Sequence, residues 1–155
     1  SENLSNVDFT FLLSLMIIDE TDNTEYFLYK FNISKKDQKR LKLIDFFYKE
    51  NVNIKNFTEK NFNKIFYFKG RQAALDIINF KLFNSKVVDK KLLKLAEIYK
   101  DKITPTLPIG ANILMSKYKI PAGKLLGIKL KLIEETWVQN SFQISEKQIQ
   151  KIIKS

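Results

Sequence analysis

The amino-acid sequence predicts an all-α protein, an irregular array of about eight helices with no sheet. Three observations lead to this fold class. Apolar side chains recur at the spacing of one helix face along much of the chain. Alternating strand patterns joined by Asn-Gly or Asp-Gly turns are absent from the sequence. All three prolines and three of the four glycines fall within residues 105–127, so the other segments contain few residues that break a helix.

The predicted helices follow one another along the chain. They span residues 8–18, 34–49, 58–68, 70–83, 88–101, 109–118, 122–140 and 145–153. A chain of 155 residues is long enough for one core, so we expect one domain or two small helical lobes that share a core. The segment "IFYFK" in the third helix also suits a strand, because its aromatic residues favour that structure.

The first predicted helix contains the apolar run "FTFLLSLMII". This run is far shorter than the roughly 20 residues that cross a bilayer, and Asp8, Asp19 and Glu20 flank it. We therefore predict a buried helix and no membrane contact.

Capping and breaking residues place the next helices. Ser34 is expected to cap the second helix and Thr58 the third, and Gly70 separates the third helix from the fourth. The basic side chains at the start of the second helix are expected on its solvated face: Lys35, Lys36, Lys39 and Arg40.

The last four helices follow from apolar stripes and one further cap. The helix over 122–140 has the clearest stripe, and Ser145 caps the closing helix. Together the stripes predict a core of Phe11, Leu12, Leu15, Leu41, Ile44, Tyr48, Ile65, Leu75, Ile78, Leu92, Leu126, Leu130, Ile133 and Trp137.

The proline and glycine window is interpreted as a pair of tight helix junctions. Pro105 and Pro108 hold the chain extended, because proline restricts the residue before it. Pro121 and Gly123 form the second turn, and Gly127 is expected to let a neighbouring backbone approach closely.

Composition limits the function. The net charge of +10 suggests an anionic partner, with nucleic acid the leading candidate, although a base-composition bias toward lysine would also produce it. The chain has no cysteine and no histidine, which excludes thiolate chemistry and removes the commonest general base. No signal peptide is visible, so the cytoplasm is the expected location. The chain starts without methionine and is interpreted as a C-terminal piece of something longer.

No catalytic or metal-binding residue is predicted in this chain. Nucleotidyl transfer usually needs closely spaced carboxylates that hold Mg²⁺, and the nearest approach is Glu20-Thr21-Asp22, interpreted as a solvated loop. Glu134 and Glu135 are interpreted as surface residues, with Glu135 pairing with Lys131 one turn earlier.

Three segments carry a family resemblance. They are "PTLPIGANILMSKYKIPAGKLLGIKLKLIEETWVQNSF", "IFYFKGRQAALDIINF" and "FNISKKDQKRLKLI". The first resembles the C-terminal end of bacterial CCA-adding tRNA nucleotidyltransferases and their poly(A) polymerase relatives, including a Glu-x-x-Trp motif. The second resembles the Tyr-x-x-Gly-Arg-x-Ala-Ala segment of the family, and the third its Leu-Ser-Lys helix start. Three positions depart from the family pattern, in which Asp, Gly and Pro respectively are common: Asn112, Lys119 and Lys124.

The resemblance implies a division of labour. Residues 1–102 would correspond to a helical body-like region and residues 103–155 to a tail-like region, which are expected to share one core. The catalytic domain would be N-terminal to both and absent from this chain, which would need no cofactor itself. Mg²⁺ with CTP and ATP would serve that missing domain.

The resemblance also implies the partners, tRNA or another RNA 3′ end and the N-terminal catalytic domain of the parent chain. The candidate phosphate contacts are basic residues near the junctions, each of which has an alternative interpretation as a solvated surface residue: Lys117, Lys119, Lys124, Lys131, Lys69 and Arg71. Two alternatives stay open. The parent could be a poly(A) polymerase, or the region could be a helical protein-interaction module whose basic charge is only compositional.

Overall fold

The computed structural model describes residues 8–50 and 58–155, and these form nine helices and no strand. The helices are α1 (Phe9–Ile17), α2 (Asn23–Lys30), α3 (Lys35–Glu50), α4 (Glu59–Lys69), α5 (Arg71–Phe83), α6 (Lys90–Asp101), α7 (Ala111–Tyr118), α8 (Lys124–Gln139) and α9 (Glu146–Lys154). The all-α prediction is confirmed, and each of the eight predicted helices begins and ends within two residues of its predicted bounds. The segment "IFYFK" is helical within α4. None of the helices in the described ranges is long and apolar enough to cross a membrane.

The predicted caps occur where expected. The Ser34 hydroxyl accepts a hydrogen bond from the amide of Asp37, and the Thr58 hydroxyl accepts one from the amide of Asn61. Ser145 and Gln148 form a reciprocal capping box at the start of α9. Gly70 separates α4 from α5 with φ of 93°, a backbone conformation that favours glycine.

The additional helix α2 was not predicted. The polar segment "DETDNTE", which includes its first three residues, suggested a loop. Buried contacts hold it: the Thr24 hydroxyl, which is fully buried, donates to Oδ1 of Asp45 on α3 at 3.1 Å, and Phe27 and Leu28 pack against the core of the first unit. At its N-terminal end the Asn23 amide side chain donates to the Ile17 carbonyl at 3.0 Å. The contacts with α1 and α3 thus stabilise a helix whose first residues favour a loop.

The helices divide into two compact units. Within the described residues, the first unit consists of 8–50 and Lys69–Lys102 and contains α1, α2, α3, α5 and α6. Its core includes Ile17, Leu41, Ile44 and Phe80, and α5 packs against both α3 and α6.

The second unit consists of Thr58–Phe68 and Ile103–Ser155. It contains α7, α8, α9 and all of α4 except its last residue. Leu114, Ile120, Leu126, Ile133 and Ile149 form its main apolar cluster. The start of the predicted tail-like region at residue 103 thus coincides with a unit boundary, whereas α4 belongs with the C-terminal helices. The predicted shared core stays a prediction.

The predicted core is correct for most positions. Seven residues are buried: Leu41, Ile44, Ile78, Leu92, Leu126, Ile133 and Trp137. Six are half-buried: Phe11, Leu15, Tyr48, Ile65, Leu75 and Leu130. Leu12 is wrong, because its side chain is 44% exposed on the outer face of α1. A helix that is apolar on several sides does not reveal by periodicity which side is covered.

Candidate nucleic-acid interface

The junction between α7 and α8 is a tight turn, as predicted. Lys119 ends α7 in the left-handed conformation with φ of 58°, and the amide of Ile120 donates back to the Leu114 carbonyl at 3.3 Å. Gly123 precedes α8 with φ of 142°. The predicted role of Gly127 is wrong, because no described atom outside its own stretch of helix lies within 4 Å of the position that a Cβ would take there. Gly127 is an interior residue of α8, and the space on its outer side is open.

Three of the predicted phosphate contacts belong to this junction. Lys117 and Lys119 lie at the end of α7, Lys124 is the first residue of α8, and all three are exposed. Lys117 already has a partner, because its Nζ lies 2.9 Å from Oε1 of Glu146. The same carboxylate oxygen accepts a hydrogen bond from Tyr118. The hydrogen bond to Glu146 raises the pKa of Lys117, so this lysine keeps its charge.

Lys131 extends the candidate surface along α8. It lies seven residues after Lys124, a spacing that places the two side chains on the same side of a helix. Its Nζ lies 4.0 Å from Oε1 of Glu135, so the predicted pair one turn apart is confirmed. The pair is long and solvent-exposed, and such pairs contribute about 0–1 kcal/mol. The charge of Lys131 therefore remains accessible to another anion.

The second predicted patch lies in the other unit. Lys69 and Arg71 flank Gly70, and both are exposed. Nη2 of Arg71 donates to the Lys102 carbonyl at 2.9 Å, which ties the start of α5 to the end of α6. Four of the six predicted contacts therefore belong to the second unit and two to the first.

Two segments that carry the family resemblance meet inside the second unit. The Tyr67 hydroxyl on α4 donates to Oε1 of Glu134 on α8 at 2.8 Å. The Tyr67 ring also packs edge-on against Trp137, with centroids 5.5 Å apart. Burial, together with the Glu134 carboxylate, raises the pKa of Tyr67 to about 12. Trp137 is 3% exposed, so its predicted place in the core is confirmed.

An ion network in the first unit was missed by the sequence interpretation, which placed Arg40 on a solvated face. Nε and Nη2 of Arg40 donate to the two carboxylate oxygens of Asp76 on α5 at 2.5 and 2.7 Å. The same guanidinium bonds both oxygens of Asp8 before α1. Asp76 is buried and also accepts from Gln72 at 2.9 Å. One signal was present in the sequence, since Asp76 is a charged residue inside the apolar run "AALDIINF".

This network joins α3 to α5 and to the start of α1, and its role is structural. The hydrogen bonds from Arg40 lower the pKa of Asp8, and the guanidinium pKa is raised by the same contacts, so both groups stay charged. The carboxylate oxygens are occupied by a guanidinium that cannot be deprotonated. A general acid or base is therefore not available at this position.

The acidic loop before α2 lies exposed. Glu20, Thr21 and Asp22 are all solvent-accessible, and Asp19 accepts hydrogen bonds from both the amide and the hydroxyl of Thr21. In the described part of the chain, no group of three or more acidic side chains has an arrangement that could hold a metal ion.

The basic charge is concentrated toward the C-terminal end. Residues 103–155 contain eight lysines against three glutamates, with no aspartate and no arginine. Three of these lysines were missed as candidates although their spacing of i, i+4 and i+7 on α9 was readable, and all are exposed: Lys147, Lys151 and Lys154. Lys129 is the exception, because it is buried and its Nζ donates to the Ile152 carbonyl at 2.8 Å near the end of α9.

Comparison of this chain with protein-family models, curated proteins and solved structures finds no match. The family drawn from the sequence resemblance therefore stays a prediction.

Proposed function

We propose that this chain binds tRNA through backbone phosphates, as the C-terminal helical region of a CCA-adding tRNA nucleotidyltransferase. The addition of CMP and AMP would reside in a separate catalytic domain, with Mg²⁺ and the two nucleotides bound there. This chain would grip the acceptor and T-arm side of tRNA without reading its sequence.

The exposed lysines at the α7–α8 junction are the observation that carries the proposal. Lys119 and Lys124 have no carboxylate partner among the described residues, and Lys131 has only a distant one. Lysines in this state neutralise phosphates, which releases the cations condensed on the RNA and gives affinity without sequence readout. The contact of Tyr67 with Glu134 and Trp137 adds support, because it joins residues from two of the segments that carry the family resemblance.

The test is a titration of labelled tRNA at several salt concentrations. We expect a dissociation constant of roughly 10⁻⁴ to 10⁻⁶ M near physiological salt, the range of binding by phosphate contacts alone. Lys124→Glu with Lys131→Glu should weaken binding and lower the magnitude of the logarithmic salt slope by about 1–2.

The matched control is Lys90→Glu with Lys94→Glu on α6. Both residues are exposed and one turn apart, and the double variant changes the net charge by the same amount. Equal weakening by the two double variants would mean that binding follows net charge alone. Salt-independent binding or no binding would contradict the proposal.

The chain alone is expected to incorporate no nucleotide from Mg²⁺, CTP and ATP. Incorporation by the purified chain that depends on metal would contradict the assignment of chemistry to another domain. The poly(A) polymerase alternative is tested with a full-length parent protein, given tRNA that lacks CCA beside an oligo(A) primer.

One observation favours the alternative of a protein-interaction module. Three apolar side chains on the outer face of α1 are exposed: Phe9, Leu12 and Met16, of which Met16 is 81% accessible. A partner helix could cover this stripe. If Met16→Lys abolished binding of an isolated protein partner and tRNA binding were absent, this alternative would replace the first.

A further inference from the structure

A second basic surface lies on α3, in the first unit. Lys35, Lys39, Lys42 and Phe46 follow one another at i, i+4, i+7 and i+11, which places them in one stripe along the helix. All four are exposed, and the Phe46 ring is 60% accessible. We call this stripe the α3 face.

None of the three lysines of the α3 face forms an ion pair with a carboxylate in the described residues. The two acids nearest to them in sequence on α3 have other hydrogen-bond partners. Asp37 accepts from the hydroxyls of Ser34 and Thr10, and Asp45 accepts from Thr24 and pairs with Lys49 at 3.2 Å. Glu50 is the last residue of α3, one turn beyond Phe46. Three lysines without an ion-pair partner thus lie along about 10 Å of helix.

Aromatic rings lie on the neighbouring helix as well. Helix α2 is joined to α3 by the contact of Thr24 with Asp45, and by Asp22, whose Oδ1 lies 3.9 Å from Nζ of Lys49. Tyr26 and Tyr29 on α2 are exposed, with Tyr29 88% accessible. On α3 itself the exposed Phe46 ring lies four residues after Lys42 in the same stripe. An exposed ring beside lysines is the combination that binds single strands, since bases stack on rings while lysines contact phosphates.

We propose that the α3 face binds unpaired RNA nucleotides, with a base stacked on Phe46 and the adjoining phosphates on Lys35, Lys39 and Lys42. The inference rests on the proposed function and names the kind of RNA segment that the first unit contacts. A duplex would not satisfy the surface, because its bases are already stacked and offer no free face to Phe46. A membrane or an apolar protein groove would use a wider apolar area than one ring among three lysines.

The test uses a labelled six-nucleotide single-stranded RNA and a blunt-ended RNA duplex that contains the same six-nucleotide sequence, measured by fluorescence anisotropy with the whole chain. We expect the single strand to bind more tightly. Phe46→Ala should weaken its binding about tenfold, within the range reported for loss of one base stack, whereas Phe46→Tyr should retain it. Phe46 is exposed, so these variants should keep the fold, which circular dichroism checks.

Charge reversal separates the surface from general basicity. Lys39→Glu with Lys42→Glu should weaken single-strand binding more than Lys90→Glu with Lys94→Glu, which changes the charge equally. Unchanged binding by Phe46→Ala, or equal affinity for the duplex, would overturn the inference. If Lys124→Glu with Lys131→Glu still weakened tRNA binding in that case, the proposed function would stand without it. If that variant had no effect while Phe46→Ala weakened hexamer binding, the inference would stand and the phosphate contacts proposed for Lys124 and Lys131 would be contradicted.

Discussion

At the scale of single residues, Lys119 is held in a conformation that its side chain disfavours. Its φ of 58° costs a non-glycine residue about 1–2 kcal/mol, of which the greater flexibility of unfolded glycine offsets about half. Lys119→Gly should therefore raise the free energy of unfolding by about 0.5–1 kcal/mol, measured by urea denaturation. The resembled family commonly has glycine at this position. Lys124→Gly, which also removes a lysine but lies at the start of α8, should give no gain, and equal effects of the two would contradict the explanation.

Arg40 stabilises the first unit by compensating the charge of a buried carboxylate. Arg40→Met removes the partner of Asp76, whose carboxylate is buried, and an uncompensated buried charge costs about 3–5 kcal/mol. We expect a loss near the lower end, because Asp8 is partly exposed. Lys39→Met, one position earlier and exposed, should change stability by about 0.5 kcal/mol or less.

Thermal and urea unfolding of the two variants measure this difference. The double variant Arg40→Met with Asp76→Leu should recover part of the loss, because neither charge is then left buried alone. Similar stabilities for Arg40→Met and Lys39→Met would show that the network contributes little.

At the scale of elements, α8 contains one glycine that is required and one that is not. Gly127 is an interior helix position with open space around it, so Gly127→Ala should stabilise by about 1 kcal/mol. Gly123 has open space too, but its φ of 142° and ψ of −165° are nearly exclusive to glycine, so Gly123→Ala should cost about 1–3 kcal/mol. Urea unfolding of both variants checks the opposite signs. A lower free energy of unfolding for Gly127→Ala would support the predicted close approach of a neighbouring backbone at Gly127.

Local signals explain which helices were predictable. Ser34, Thr58, Gly70 and Ser145 each begin a helix through bonds or backbone angles within a few residues of sequence. The N-cap of α2, Asp22, makes no side-chain hydrogen bond, and the Thr24 hydroxyl that anchors the helix donates to Asp45, 21 residues away. The same limit applied to Leu12, since a local pattern does not say which side of an apolar helix is covered.

At the scale of the whole molecule, the candidate site was predictable only in part. The exposure of Lys124 and Lys131 follows from their positions opposite the apolar stripe of α8, and so it was readable. The burial of Lys129 was not, because its partner is the Ile152 carbonyl on another helix. Likewise, Arg40 was assigned to solvent because its carboxylate partners lie on two other segments.

The shifted pKa values of four side chains predict how the stability of the fold depends on pH. The folded-state pKa of Asp8 is lowered by its hydrogen bonds with Arg40, that of Asp37 by Ser34, and that of Glu146 by Tyr118 and Lys117. Such carboxylates stabilise the fold above their unfolded pKa values, near 4, and lose that contribution as the pH falls through the folded values. Tyr67 acts in the opposite sense, because its pKa is raised to about 12. Its contribution is complete below about pH 10 and disappears as the pH rises through 12.

Between these two limits no side chain should titrate strongly, since the chain has no histidine and no cysteine. We therefore expect the midpoint of urea unfolding to stay constant from about pH 5.5 to 9 at fixed ionic strength, to fall below about pH 4, and to fall again above about pH 10. Tyr67→Phe should shift the alkaline limb and leave the acid limb unchanged, whereas Glu146→Gln should change the acid limb. A step in stability between pH 5.5 and 8 would contradict the prediction, because it would require a carboxylate or lysine whose pKa is displaced into that range.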